Sequence, residues 1–323
     1  MSVGIVLWGV KLIFYVQDIA TARQFKCVIK GKVLDTDFNI KNRKERSPVV
    51  AGDIVDYEPT FTPSDINTIG EGVILSRHER KNEIKRLKNN GRDVQTLTAN
   101  IDRLFIIDSI YNPPLRTFFI DRMIFSADVM NIPVSIVINK IDLLDEQIKE
   151  FYHHVKEVYT NLGIDIIETS AASGIGLDTL NEKIGSQVVS FNGHSGVGKS
   201  SLIKACQPQH DSIKVGDISR KYDRGTHTTT FAQLYPTSQG GFITDTPGIR
   251  EFSVFVDSPE LVEWHFRDFD GFRDECHYPN CQHLDEPDCA VIAAVEREDI
   301  EPFRYESYLR MRETIEKLKD SKI

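Results

Sequence analysis

At 323 residues the chain is longer than one ordinary domain and can bury a large core without disulfide staples. Its 40% apolar and 27% charged residues are those of a soluble globular protein, and a net charge of −9 excludes a generally basic nucleic-acid binder. Three of the five cysteines crowd into one C-terminal stretch, which points to a metal site and away from a disulfide framework.

The first apolar run, VGIVLWGVKLIFYV (Val3–Val16), is interrupted by Lys11. It is also shorter than the roughly 20 residues a membrane span needs. It reads as a strand and the segment leading on from it, in a chain expected to be cytoplasmic and to have no membrane partner. Short β-rich stretches follow: QFKCVIKGKV (Gln24–Val33), DIVDYEP (Asp53–Pro59) and EGVILSRHER (Glu71–Arg80). Turn residues and the basic loop IKNRKERSP separate them, which predicts a small β-barrel over residues 1–95. Basic residues outnumber acidic ones in this segment and the reverse holds beyond it, so the barrel is expected to face an anionic partner. Arg43, Lys44, Arg46, Arg77, Arg80, Lys81, Lys85 and Arg86 are the candidate contacts.

Over residues 96–255 apolar runs of buried-strand length alternate with helical periodicity. RLFIID (Arg103–Asp108) and IPVSIVIN (Ile132–Asn139) flank the helical PLRTFFIDRMIFSADVM (Pro114–Met130). DIIETSA, QVVSFNG and GGFITDT are further strands, so an α/β domain with a mostly parallel sheet is expected. Residues 256–323 hold the cysteine cluster and a charged helix, PFRYESYLRMRETIEKLKD.

Four motifs carry chemistry. The first, GHSGVGKS, comprises Gly193, His194, Ser195, Gly196, Val197, Gly198, Lys199 and Ser200, followed by Ser201. It sits between a strand and a helix, as a phosphate-binding P-loop does. Its backbone N–H groups would surround phosphate oxygens, Lys199 would reach the β- and γ-phosphates, and Ser200 would ligate Mg²⁺. The second, TDTPG, ends a strand at Asp245, a Mg²⁺-side carboxylate, with Gly248 as γ-phosphate donor. The third, NKID, supplies Asn139, Lys140 and Asp142. A carboxylate at Asp142 can accept the paired N–H donors of guanine, which adenine lacks. Ser170 and Ala171 lie in the downstream loop expected to meet the guanine oxygen. The fourth is C-x4-C-x-H-x5-C: Cys276, Cys281, His283 and Cys289, a closed four-ligand set for one structural Zn²⁺, with His277 as the less favourable nitrogen.

GTHTTT offers Thr228 or Thr229 as a further Mg²⁺ ligand and His227 as the group that positions the attacking water. Ile249 stands where many GTPases have a water-orienting Gln, so the group must come from elsewhere. In ordinary small GTPases the P-loop precedes NKxD. Here NKID and TSA come first, so the nucleotide domain is circularly permuted.

This order, with GHSGVGKSSL, RGTHTTT, DTPGIREF and NKIDLL, resembles the circularly permuted GTPases of the RsgA (YjeQ-type) family. Thr226 departs from the basic residue that the family often has before the histidine, and the N-terminus is unusually apolar. The resemblance implies a multidomain α/β protein: an OB-fold RNA-binding barrel (1–95), a permuted GTPase domain (96–255) and a C-terminal zinc-binding helical domain (256–323). It implies a monomeric, Mg²⁺-dependent GTP hydrolase acting on the small ribosomal subunit and its rRNA during late assembly. A zinc-containing RNA-binding protein with a purely structural nucleotide site is the rival, disfavoured by Lys199, Ser200 and Asp245; Asp142 disfavours an ATPase or kinase.

Overall fold

The computed structural model describes residues 1–10, 12–29, 49–65, 67–88, 93–207, 232–245 and 258–320. The chain divides into two compact units that do not follow chain order: residues 1–104, 177–193 and 198–252, and residues 105–176, 194–197 and 253–323.

The first unit opens with five strands: β1 (Ser2–Val10), β2 (Ile13–Asp18), β3 (Gln24–Ile29), β4 (Ile54–Phe61) and β5 (Gly70–Arg77). They close into a barrel in the order β1-β2-β3-β5-β4, with only β3 and β5 parallel. This is the topology of a five-stranded OB-type barrel. Val6, Phe14, Val16, Phe25, Cys27, Val55, Tyr57 and Ile74 fill it. The apolar N-terminus is explained by β1, which is buried on both faces. Val6 enters the barrel core, whereas Ile5, Leu7 and Trp8 pack with Leu234 and Phe242 outside it, and a bulge between Val6 and Trp8 re-aims the strand. A strand covered on both sides reads as a continuous apolar run rather than an alternating one.

An antiparallel hairpin follows, β6 (Glu83–Lys88) with β7 (Asp93–Ala99). Between barrel and hairpin, Arg80 makes a two-pronged ion pair with Asp53, at 2.7 and 2.8 Å, with both side chains buried. Arg80 is therefore a structural residue and not an exposed RNA contact, a correction to the sequence reading. Lys81 and Lys85 pair with Asp102 and Glu83. Arg43, Lys44, Arg46 and the Arg86 side chain lie outside the described residues.

The six α/β strands fall into two runs. The first unit holds β11 (Val188–Gly193), β13 (Phe242–Asp245) and β12 (Gln233–Pro236) in the order β11-β13-β12, the first pair parallel. The second unit holds the order β10-β9-β8 from β8 (Arg103–Ser109), β9 (Val134–Asn139) and β10 (Asp165–Glu168). Helix α1 (Thr117–Val129) links β8 to β9, and α2 (Glu146–Asn161) links β9 to β10. In the first unit α3 (Leu177–Ile184) precedes β11, and α4 (Lys199–Cys206) follows it.

The C-terminal segment packs on α1 within the second unit. Its elements are a 3-10 turn, Pro259–His265, then α5 (Ala290–Glu296) and α6 (Pro302–Asp320). Phe125 of α1 shares a core with Phe266, Phe269, Tyr308 and Met311. Inside that core, Arg304 bonds Asp121 at 2.6 Å and Asp268 at 2.6 Å. Tyr159 and Ser307 donate to the Asp121 carboxylate at 2.6 and 2.5 Å. Burial pushes the Asp121 carboxyl above its ordinary range, against the pull of Arg304. Burial alone would depress the Arg304 guanidinium; Asp121 and Asp268 more than offset it. No helix among the described residues is long and apolar enough to cross a membrane.

Arg304→Met strands two buried carboxylates, and removal of one partner of a buried ion pair costs about 3–5 kcal/mol. Urea unfolding is expected to show that loss, and Asp121→Asn in the same background to recover part of it.

Candidate functional site

Gly193 ends β11, and the chain reverses through Gly196 and Gly198, both at positive φ (89° and 96°), before α4 begins at Lys199. Gly198 is the N-cap residue of α4, in a left-handed conformation that side chains with a Cβ rarely adopt. Ser195, Gly196, Ser200 and Ser201 are exposed, whereas Val197 is fully buried and pins the loop. Lys199 Nζ donates to the Gly193 carbonyl at 2.8 Å, so the ammonium folds across the loop mouth where a phosphate would sit. The His194 ring lies 4.1 Å from that of Phe119. Asp245 closes β13, with its backbone opposite Phe191 of β11.

The base-side loops lie at the carboxyl ends of β9 and β10. Asn139 is buried; its amide donates to the Val197 carbonyl at 2.8 Å and accepts from the Ala171 N–H at 3.2 Å and the Thr169 hydroxyl at 3.3 Å. The sequence placed Asn139 on the nucleotide. In the structure its side chain joins Val197 of the phosphate-loop motif to the TSA loop. Lys140 takes a left-handed conformation (φ 62°) and bonds the Asn112 carbonyl. Asp142 follows on an exposed 3-10 turn, Ile141–Leu143, open to a ligand. Ser170 is buried, and its hydroxyl accepts from Ser173 N–H at 3.1 Å. Gly176, at φ 68°, closes the loop where a Cβ would stand 1.9 Å from the Glu168 carbonyl. His227, Thr228, Thr229, Gly248 and the Asp245 side chain lie outside the described residues.

Ligand atoms of Cys276, Cys281, His283 and Cys289 all lie within 4.8 Å of one another. Cys276 Sγ is 3.9 Å from Cys289 Sγ and 3.6 Å from His283 Nδ1, and Nδ1 is 3.3 Å from Cys289 Sγ. A tetrahedron with metal–sulfur bonds of about 2.3 Å has edges near 3.8 Å, so this donor set fits one four-coordinate ion. Burial, then the neighbouring thiols, pushes the Cys281 thiol up to about 12, a penalty that a bound cation would reverse. Tyr305 and Tyr308 of α6 donate to the carbonyls of His283 and Gln282 at 2.7 and 2.6 Å and brace the ligand loop. Cys27 and Cys206 are buried elsewhere and take no part. His277 stands outside the cluster, its ring edge-on to Tyr278.

A permuted P-loop domain carrying an OB-type barrel and a Cys₃His cluster is a specific combination. The family model for RsgA GTPase matches residues 77–255. The small ribosomal subunit biogenesis GTPase RsgA of Flavobacterium johnsoniae is 39% identical over 289 residues, covering 89% of this chain and 86% of that one. Its counterpart from Borreliella afzelii is 38% identical over 307 residues, covering 95% and 94%. The crystal structure of YjeQ from Thermotoga maritima superposes with a TM-score of 0.74 at 31% identity, covering 97% of this chain and 98% of that one. YloQ, described as a circularly permuted GTPase, shares the fold with a TM-score of 0.72 at 24% identity, over 98% of this chain and 96% of that one. The chain belongs to the RsgA GTPase family. As a member it is a GTP hydrolase, and its three-part fold is that of the RsgA family.

One residue of this RsgA-family metal centre was invisible in the sequence. Glu263, on the 3-10 turn, holds His283 Nε2 at 2.8 Å, and both side chains are buried. The contact assigns Nδ1 to the metal and Nε2–H to the carboxylate. No spacing rule marks a carboxylate so far upstream of the first cysteine. Glu263→Ala is expected to lower the cluster's metal affinity by about 10–100-fold in chelator competition, as loss of such outer partners does. Glu263→Gln, which keeps an acceptor for Nε2–H, should retain most of the affinity.

Proposed function

We propose that this RsgA-family GTPase binds the small (30S) ribosomal subunit and couples GTP hydrolysis to late subunit maturation or to its own release. The observation that carries the reading is the Asn139 bridge between Val197 and Ala171, which gathers base-side and phosphate-side loops although the chain order is permuted. The names of the relatives, small ribosomal subunit biogenesis GTPases, supply the partner.

In this reading residues 1–95 form the rRNA-binding barrel, 96–255 the GTPase domain and 256–323 the zinc-binding domain of a cytoplasmic monomer. GTP lies over Gly193–Ser201, with Lys199 charge-stabilising the β- and γ-phosphates and Gly248 donating to the γ-phosphate. Mg²⁺ bound with the nucleotide neutralises phosphate charge; Ser200, Asp245 and Thr228 or Thr229 would hold it. Asp142 accepts guanine N–H donors, with Lys140, Ser170 and Ala171 around the base. His227 positions the attacking water, since Ile249 cannot. Cys276, Cys281, His283 and Cys289 hold one structural Zn²⁺.

The test is GTP hydrolysis with and without purified 30S subunits. Slow basal turnover, stimulated by the subunit, is expected; equal rates in both arms would overturn the partner assignment. His227→Ala should lower the stimulated rate by about 10²–10⁴-fold and spare GTP affinity. Asp142→Asn presents a donor to donors and should weaken GTP binding by about 2–5 kcal/mol in fluorescent-nucleotide titrations.

A further inference from the structure

A cavity of about 390 Å³ lies against the first turns of α1 beside His194, which alone of its lining residues has been given a role so far. Arg116, Thr117, Phe118, Phe119, Arg122 and His194 line it. Its volume is within the roughly 300–1,000 Å³ typical of small-molecule sites.

Arg122 is the unusual member. Its Nε is buried and meets no hydrogen-bond acceptor. Burial holds its guanidinium below the ordinary arginine range, with no carboxylate to restore it. Its guanidinium carbon lies over the Phe119 ring face, 5.9 Å from the centroid. Arg77, Arg103 and Arg273 also have a buried Nε without a partner, but other nitrogens of Arg77 and Arg273 bond His78 O and Glu263 O, and Arg103 is engaged elsewhere. Arg122 as a whole is half-buried, so its fixed charge is only partly screened by water, and a buried Nε without an acceptor is a place for an anion's oxygen. Arg116 brings a second, exposed guanidinium to the rim. Paired guanidinium forks match phosphate oxygens, and Phe118 and Phe119 offer flat walls to a planar group.

We propose that this cavity is a second anion site beside the P-loop, sharing only His194 with it, that takes a small phosphate monoester of nucleotide size through Arg122 and Arg116. The His194–Phe119 ring contact sets it directly against the phosphate loop.

The experiment uses the full chain saturated with GDP and Mg²⁺, with radiolabelled AMP as the probe in equilibrium dialysis. AMP carries the phosphate but lacks the guanine donors that suit Asp142. One saturable AMP equivalent is expected, weakened at least about ten-fold, or ~1.4 kcal/mol, in Arg122→Gln, with fluorescent-GDP affinity unchanged. Arg116→Gln, an exposed change that leaves the fold intact, should weaken it as well. Inorganic phosphate should displace AMP: equal affinity would identify free phosphate as the ligand, and tighter AMP binding a nucleotide monoester. No saturable AMP binding, equal binding to both variants and wild type, or adenosine binding as tightly as AMP would each overturn the proposal. GDP uptake is read independently, so a failed P-loop assignment is distinguishable from a failed second site.

Discussion

A buried side-chain amide must find partners for both ends, and Asn139 finds them in two loops that are remote in sequence. Val197 lies 58 residues downstream and Ala171 lies 32. Leaving either loop unpaired would strand a donor or acceptor in the interior, at a cost of about 1–3 kcal/mol. Permutation changes the order in which loops are synthesised, not the positions at which strands end. The backbone contributes as well: the Asn139 carbonyl accepts from Ile110 N–H and ties the end of β8 to the end of β9. Val197 and the TSA loop are therefore held together by one residue at the carboxyl end of one strand, the place where open α/β sheets bind ligands.

Helix α1 extends that dependence towards the metal centre. Asp121 and Phe125 meet the C-terminal segment, and Asp128 near its end pairs with His265 at 2.5 Å. His265 and Glu263 belong to the same 3-10 turn, so one short element touches both α1 and the ligand His283. A metal ion held by the four donors would therefore act on a loop that this turn already braces against α1. The other end of α1 presents Phe119 to His194. Packed side chains and buried ion pairs, each with few alternative arrangements, form a continuous physical connection from the Cys₃His cluster to the phosphate loop.

Much of this was legible in the sequence because the motifs are locally encoded. GHSGVGKS needs its glycines for a turn that the structure realises at positive φ, and the cysteine spacing is enough to bring four donors together. The buried partners were not legible. Arg80 looks like any surface arginine until Asp53, 27 residues earlier, is found beneath it. Helix α6 showed only rough amphipathicity because its buried stripe runs Arg304, Ser307, Tyr308, Met311 and Ile315, and two of those five side chains are polar. Periodicity counts apolar residues, so a stripe that buries a guanidinium and a hydroxyl against Asp121 escapes it. The continuous apolar run of β1 concealed its alternation for the opposite reason, since both faces are covered.

The double burial of β1 also determines what the barrel can do. Ile5, Leu7 and Trp8 share one apolar cluster with Ala232, Leu234 and Phe242, and Trp8 stacks on Tyr15 at 4.1 Å. Apolar packing of this kind is dense and transmits displacement instead of absorbing it. Within the first unit the barrel is therefore continuous with β12 and β13, not hung from a linker. Strand β12 is an edge of its run, and β1 covers the apolar side chain of its Leu234 without pairing with its backbone. Gln233, the first residue of β12, stands opposite Asp245 and follows His227 by only a few residues of chain. The barrel thus shares its apolar packing with the strand pair that carries Asp245.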